Sequence, residues 1–370
     1  MIQFNYLITL KTKTAEFEAI HHLHERVSGF LPLLEITPVP LKWTDGETDP
    51  EKAKTPREHC EWIIEQAIWA QGDRPFFLDG FYVENVERIG DEEPIEFTLS
   101  RLYERGARPI PVLGIDRPED YIEACHRCGR GTYAIRLVTN DLGNPEELSE
   151  TLRSLLVAVD VKPHDCHLIV DLGDIVPSSV AIIQTYLPSQ FRDLPQRDDW
   201  RTVTFSATSF PPSVSDIEPY TLEPIARQEW ELWRRIREGD NVGRCPIFGD
   251  YGIASSELSI LDPRQITIAP KVKYTDKMQW MVCRGQAEPR KKTTGSKTVV
   301  PPRREQFARL AKLITEEQDL FSGDYFSWGD EQIAKAADGD GSASLQHWVT
   351  IGIVHHVAYV VQQLSSLRET

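Results

Sequence analysis

The sequence predicts an α/β fold, a TIM-like (β/α)8 barrel with an added β-hairpin after its eighth strand and a C-terminal helical extension. Three observations predict it. Apolar, β-branched runs of about six residues recur eight times, at residues 6–11, 31–37, 75–80, 109–115, 132–138, 166–172, 201–207 and 245–252. Stretches with helical spacing separate them, and strict strand–helix alternation implies a parallel sheet that closes at eight repeats. Most runs also end on a charged residue, at the face where such barrels carry their sites.

The elements follow in order. Strand 6–11 leads through KTKT to a helix whose Phe17, Ile20, Leu23 and Val27 lie three or four residues apart and share one buried face. Strand LPLLEIT is followed by a long polar connection, residues 38–56, before a helix over 57–70; a loop of that length suggests function or disorder. Strand PFFLDG precedes a helix over 96–105 that Gly106 ends. PIPVLGI is paired with a helix opening at Pro118, where proline costs nothing. TYAIRLV meets NPEELSETLRSLLVAV, whose acidic first turn suits the helix dipole. CHLIVDL pairs with SSVAIIQTYL, RTVTFSA with EPIARQEWELWRRIREG, and CPIFGDYG is the eighth strand.

Beyond it, QITIAPKVKYT and MQWMVCRG read as a hairpin over 265–286 on the functional face, turning near Asp276 and Lys277. A basic segment over 287–304 has no apolar period and reads as a loop. A helix over 305–314 is expected to be the eighth covering helix, closing a barrel domain at 1–314. Residues 315–370 then form the helical extension packed on it. In FSWGD, Asp330 is expected to cap a helix while Trp328 fills a groove against the barrel.

A chain of 370 residues, 40% hydrophobic, can bury one large core. Its net charge of −16 opposes binding to a phosphate backbone, which argues against nucleic acid; the one opening would be the basic segment with nearby Trp280. No apolar run reaches membrane-spanning length and the N-terminus lacks signal-peptide order, so the chain reads as cytoplasmic. Six cysteines are too few for a disulfide framework. Cys60, Cys166, Cys245 and Cys283 sit in apolar contexts as small core residues, and the Cys125/Cys128 pair lacks a second ligand pair for zinc.

The charged strand ends carry the chemistry. Glu35, Asp79, Asp171 and Asp250 could hold a divalent metal such as magnesium or divide acid and base roles. Lys11, Lys13 and Arg136 could neutralise an anion. Ser206, Tyr251, Lys273 and Arg284 extend the anion site around the ends of strands seven and eight, where this fold often holds phosphate. The competing reading is a ring of mutually paired charges that satisfies the barrel mouth. His355 and His356 are adjacent on a helix, about 100° apart, and cannot easily chelate one ion. DGDG at 338–341 lacks the twelfth-position glutamate of a calcium loop and reads as a helix stop.

Several phrases together, YLITLKTKTAEFEAI with LPLLEI, FGDYG, MQWMVCRG, FSWGDEQI and WVTIGIVHH, resemble the phage beta protein family. Lys11, Lys13, Glu16, Glu35, Asp250, Tyr251, Arg284, Trp328, Asp330 and His355 fall inside them. The resemblance implies a setting in phage–host conflict and transfers no catalytic role. Two functions follow as expectations. One is a barrel-mouth site that binds or hydrolyses a small phosphate-bearing or nucleotide-like anion, as a metal-assisted hydrolase would. The other is a non-catalytic recognition or regulatory component of a phage-defence or counter-defence complex, with a protein partner.

Overall fold

The computed structural model describes residues 3–44, 47–48, 54–239, 244–258, 268–287 and 300–367. Its centre is a closed barrel of eight parallel strands: β1 (Tyr6–Lys11), β2 (Phe30–Glu35), β5 (Pro75–Asp79), β6 (Arg108–Leu113), β7 (Tyr133–Val138), β8 (Cys166–Asp174), β9 (Thr202–Thr208) and β11 (Ile247–Asp250). β11 pairs with both β1 and β9, which closes the ring. The long connection after β2 holds a two-residue ladder, β3 (Trp43–Thr44) with β4 (Glu47–Thr48).

Seven helices follow the strands: α1 (Thr14–Arg26), α2 (Pro56–Gln71), α3 (Pro94–Glu104), α4 (Glu119–Cys128), α5 (Pro145–Ala158), α6 (Val180–Arg192) and α7 (Gln228–Glu238). Local chemistry sets their starts. Thr55 Oγ1 accepts the Glu58 amide at 3.2 Å while Glu58 accepts the Thr55 amide at 2.8 Å, and Pro56 opens α2 behind this capping box. Asn144 caps α5 in front of Pro145, Glu146 and Glu147.

Alternation along the strands separates two cores. Leu7, Leu31, Leu33, Phe77, Ile110, Val112, Ala134 and Ile169 form the barrel interior. Their neighbours, among them Ile8, Leu34, Leu78, Ile135, Leu168, Val170, Phe205 and Phe248, join the helices outside. Polar side chains share the inward phase above the apolar layer, and this positions the site.

Three sequence expectations need correction after α6. Residues 222–226 are a strand, β10 (Leu222–Ala226), and not the start of α7; they pair antiparallel with β13 (Gln279–Arg284), which pairs in turn with β12 (Lys271–Asp276). The expected hairpin is thus two strands of a three-stranded sheet, and Pro224 leaves its pairing intact at an edge. The eighth covering helix is α10 (Leu345–Ser366), not α8 (Arg303–Thr315). The Thr350 hydroxyl of α10 donates to Ala15 O on α1 at 3.1 Å, and Ile353, Val354, Val357 and Val360 join the barrel's outer core. α8 instead packs with α9 (Trp328–Ala337) and β12 around a second core of Tyr274, Phe307, Leu310, Ile333 and Trp348.

The third concerns FSWGD. Ser327 is the cap, accepting the Asp330 amide at 3.2 Å, while Asp330 is buried and bonds Tyr274 and His355. Trp328 stacks on His22 of α1 with ring centroids 3.7 Å apart. α9 ends before DGDG, where Gly339 takes a φ of 92°, as a helix stop requires. The six cysteines are free thiols; Cys245 is exposed, so the expectation of a core residue there fails. Among the described residues, no helix is long and apolar enough to cross a membrane.

Candidate functional site

Strand register brings the expected charges together. Lys11, Glu35 and Asp79 are successive cross-strand partners on β1, β2 and β5, and Asp171 is the partner of Ser206. Arg136 rises from β7 into their midst. Its Nε donates to Asp171 at 2.8 Å, one terminal nitrogen to Glu35 at 2.8 Å and Asp79 at 2.7 Å, and the other to the Tyr251 hydroxyl at 2.7 Å. The last nitrogen also lies 2.6 Å from Asp171. A guanidinium has five N–H bonds; four donate hydrogen bonds here, and the Asp171 contact engages the last nitrogen as an ion pair.

Lys11 is used up in the same way. It pairs with Glu35 and reaches the Tyr82 hydroxyl at 3.1 Å and Ser256 O at 2.9 Å, three acceptors for three protons. Every carboxylate oxygen of Glu35, Asp79 and Asp171 holds at least one donor: Arg117 and the Phe81 amide complete Asp79, and Tyr251 and the Gly173 amide complete Asp171. Arg117 also binds Glu84 at 2.8 Å, so the network sets three cations against four carboxylates.

The electrostatics match the geometry. Burial works against the charge of Arg136, but Tyr251, Asp171, Glu35 and Asp79 outweigh it and raise its pKa well above the usual value. Burial also pushes against ionisation of Asp79, and Arg117 with Arg136 overcome that to hold it below the usual carboxylate value. The Tyr251 phenol is pushed well up by burial; Arg136 opposes this and Asp171 adds to it. Arg136 keeps its charge, Asp79 stays ionised beside it, and Tyr251 keeps its proton.

Above this floor lies a cavity of about 360 Å³. Glu35, Arg136, Asp171 and Tyr251 reach it, Phe81, Tyr82, Val138 and Leu172 supply apolar wall, and Asp116, Arg117 and Glu257 stand around it. Sequence reading passed over Arg117 and Tyr82. Arg117 alone of the three cations keeps donors in reserve, because its buried Nε has no partner among the described residues. The signal was available in IDRPED, an arginine at a strand end ahead of an acidic helix start.

The remaining expected residues lie apart from that cavity. Asp250 is one residue out of phase with the inward series: Gly249 and Tyr251 face in, and Asp250 faces out. There it accepts hydrogen bonds from the Tyr6 hydroxyl and, at 2.9 Å, the Gly252 amide, and it lies 2.9 Å from His356 Nε2. Ser206 is buried within the barrel and its hydroxyl has no partner among the described residues. Lys13 is exposed at the start of α1.

Lys273, on β12, donates to Ile253 O at 2.7 Å and sits 4.1 Å from the Phe210 ring centre; burial, aided by Lys271, lowers its pKa to about 7. Arg284 is bonded to Ile217 O. None of Lys13, Ser206, Asp250, Lys273 and Arg284 contributes to the cavity wall, nor do β12 and β13. Trp280 is buried against Phe210, so it offers no stacking face to nucleic acid, and most of the basic segment, 288–299, lies outside the described residues. Among the described residues, no three His, Cys, Asp or Glu side chains are grouped to hold a metal ion.

Fold and site together define a (β/α)8 barrel protein whose mouth is closed by an arginine-centred network of its own carboxylates. The chain belongs to the Beta protein family, whose model matches residues 6–362, as the sequence phrases implied. No curated protein matches it significantly. Among solved structures it is similar to triosephosphate isomerase from Bartonella henselae, at 10% identity over 67% of this chain and 92% of that one, with a TM-score of 0.33.

Proposed function

We propose that the barrel mouth binds a ligand without transforming it, and that the protein serves as a recognition component in phage–host conflict, the setting its family implies. The engagement of Arg136 carries this reading: each of its three nitrogens, and all three protons of Lys11, face protein acceptors. An anion entering the cavity would have to displace a protein acceptor to reach either cation. Three cations against four carboxylates also give it no net attraction. The wall offers Phe81, Tyr82, Val138 and Leu172 with the guanidinium of Arg117 beside them, which suits a polypeptide segment presenting an apolar side chain beside backbone carbonyls.

The test pairs partner capture from phage-infected cells with a turnover assay. Wild-type protein should recover a specific partner that Phe81→Ala and Arg117→Gln lose, and should show no Asp171-dependent hydrolysis of phosphate esters with magnesium. Hydrolysis that Asp171→Asn abolishes would overturn the proposal. It would favour the hydrolytic reading, for which Glu35 and Asp171 both reach the cavity as the acid–base pair.

A further inference from the structure

The opposite end of the barrel shows the reverse charge pattern. Two cavities of about 460 and 470 Å³ open at the amino ends of the strands and share Pro75 and Arg108 in their walls. Arg74, Arg108, Arg130 and Arg201 line this joint groove, and none of its described lining residues is a carboxylate. In a chain with a net charge of −16, four guanidiniums converge on one concave surface.

The donors of three of them are uncommitted. Among the described residues, Arg74, Arg108 and Arg130 form no ion pair, whereas Lys11, Arg117 and Arg136 at the mouth all do. Arg130 lies over the Tyr103 ring at 4.2 Å, which fixes its plane. The Tyr103 hydroxyl is anchored on Pro109 O at 2.7 Å. Arg201 is oriented by His164 O at 3.1 Å and Thr132 Oγ1 at 3.4 Å, with Asp165 at 4.0 Å. Arg74 and Arg130 follow the carboxyl ends of α2 and α4, whose dipoles favour a cation there while leaving the N–H groups open.

We propose that this groove is a binding site for a small polyanion carrying a chain of phosphates, which would span from Arg74 and Arg108 to Arg130 and Arg201. Guanidinium forks match phosphate oxygens two at a time, and a row of four calls for several negative charges in one ligand. The two cavities, about 460 and 470 Å³, exceed the needs of a single phosphate. Pro75, Pro109 and Ile110 give the ligand's uncharged part an apolar wall.

Calorimetric titration of the full chain with inorganic tripolyphosphate tests this. Binding should weaken as salt rises, and Arg108→Gln and Arg130→Gln should each reduce affinity by about tenfold, the worth of a charge-assisted hydrogen bond. Both arginines are exposed, so melting temperatures should stay at the wild-type value and Arg153→Gln on α5 should bind as wild type does. No binding of tripolyphosphate, or binding indifferent to both groove substitutions, would overturn the proposal. Binding of a single-stranded oligonucleotide without tripolyphosphate would overturn it too and assign the groove to a nucleic-acid backbone.

Discussion

His356 on α10 lies 2.9 Å from Asp250 at the end of β11, joining residues 106 positions apart in a fully buried contact. Thr275 of β12 holds the other ring nitrogen at 2.7 Å, so one imidazole ties the barrel, the three-stranded sheet and the eighth helix together. Burial lowers the His356 pKa although Asp250 opposes it, which makes the neutral ring the working form.

Replacing either partner strands a buried polar group. Asp250→Ala and His356→Ala should each cost about 2–4 kcal/mol. Chemical denaturation should show it, and the double variant should cost less than the sum of the two. Additive losses would mean that the pair is not coupled.

Arg136→Ala should be more damaging, because it leaves Glu35, Asp79 and Asp171 buried without their common cation. A loss of about 3–5 kcal/mol is expected. Asp171→Asn retains an acceptor for Arg136 and should cost markedly less. Equal losses for the two in urea unfolding would count against a hub at Arg136.

Acid should destabilise the fold before its carboxylates protonate. Burial lowers His24 to about 4 and His167 to about 3, while His356 is also lowered. The unfolded chain therefore takes up protons near pH 6.5 that the folded chain refuses. Stability should fall from there toward pH 4, by up to about 1.4 kcal/mol per pH unit for each such histidine. Glu229, raised by burial to about 7, opposes this above its unfolded value near 4.5, since its stabilisation is lost as pH rises. Melting temperatures from pH 7 to pH 4 should decline most steeply at the lower end, and a flat profile would contradict the burial of these rings.

Gly329 lets the start of α9 lie close against α10. A Cβ there would stand 2.5 Å from Ile351 O and 3.1 Å from His355 N, backbone atoms of a packed helix that cannot step aside. Gly329→Ala should cost roughly 1–3 kcal/mol by overpacking. An unchanged denaturation midpoint would show that the two helices can part freely.

Much of the site was legible because strand ends converge at one face of this fold. Glu35, Asp79, Arg136 and Asp171 were each visible as charges closing apolar runs, and they meet. Asp250 was misassigned for a reason also written in the chain: counting by twos from Ile247 puts Gly249 and Tyr251 inside and Asp250 outside. The role of α10 was not legible, since an apolar helix fits equally well on the barrel or on an extension beyond it. β10 was hidden because all five of its residues are exposed or half-buried and carry no alternating apolar pattern.

By itself, the sequence determined the strand–helix rhythm, the closure at eight strands and the family, because these depend on local periodicity and short phrases that neighbouring residues set. Only the tertiary structure decided what the charges do. Arg136 reaches Glu35 across 101 positions and Asp250 meets His356 across 106, and such pairings depend on which donors remain unspent once the barrel has closed. That same accounting leaves Lys11 and Arg136 engaged at the mouth and Arg74, Arg108 and Arg130 open at the opposite end.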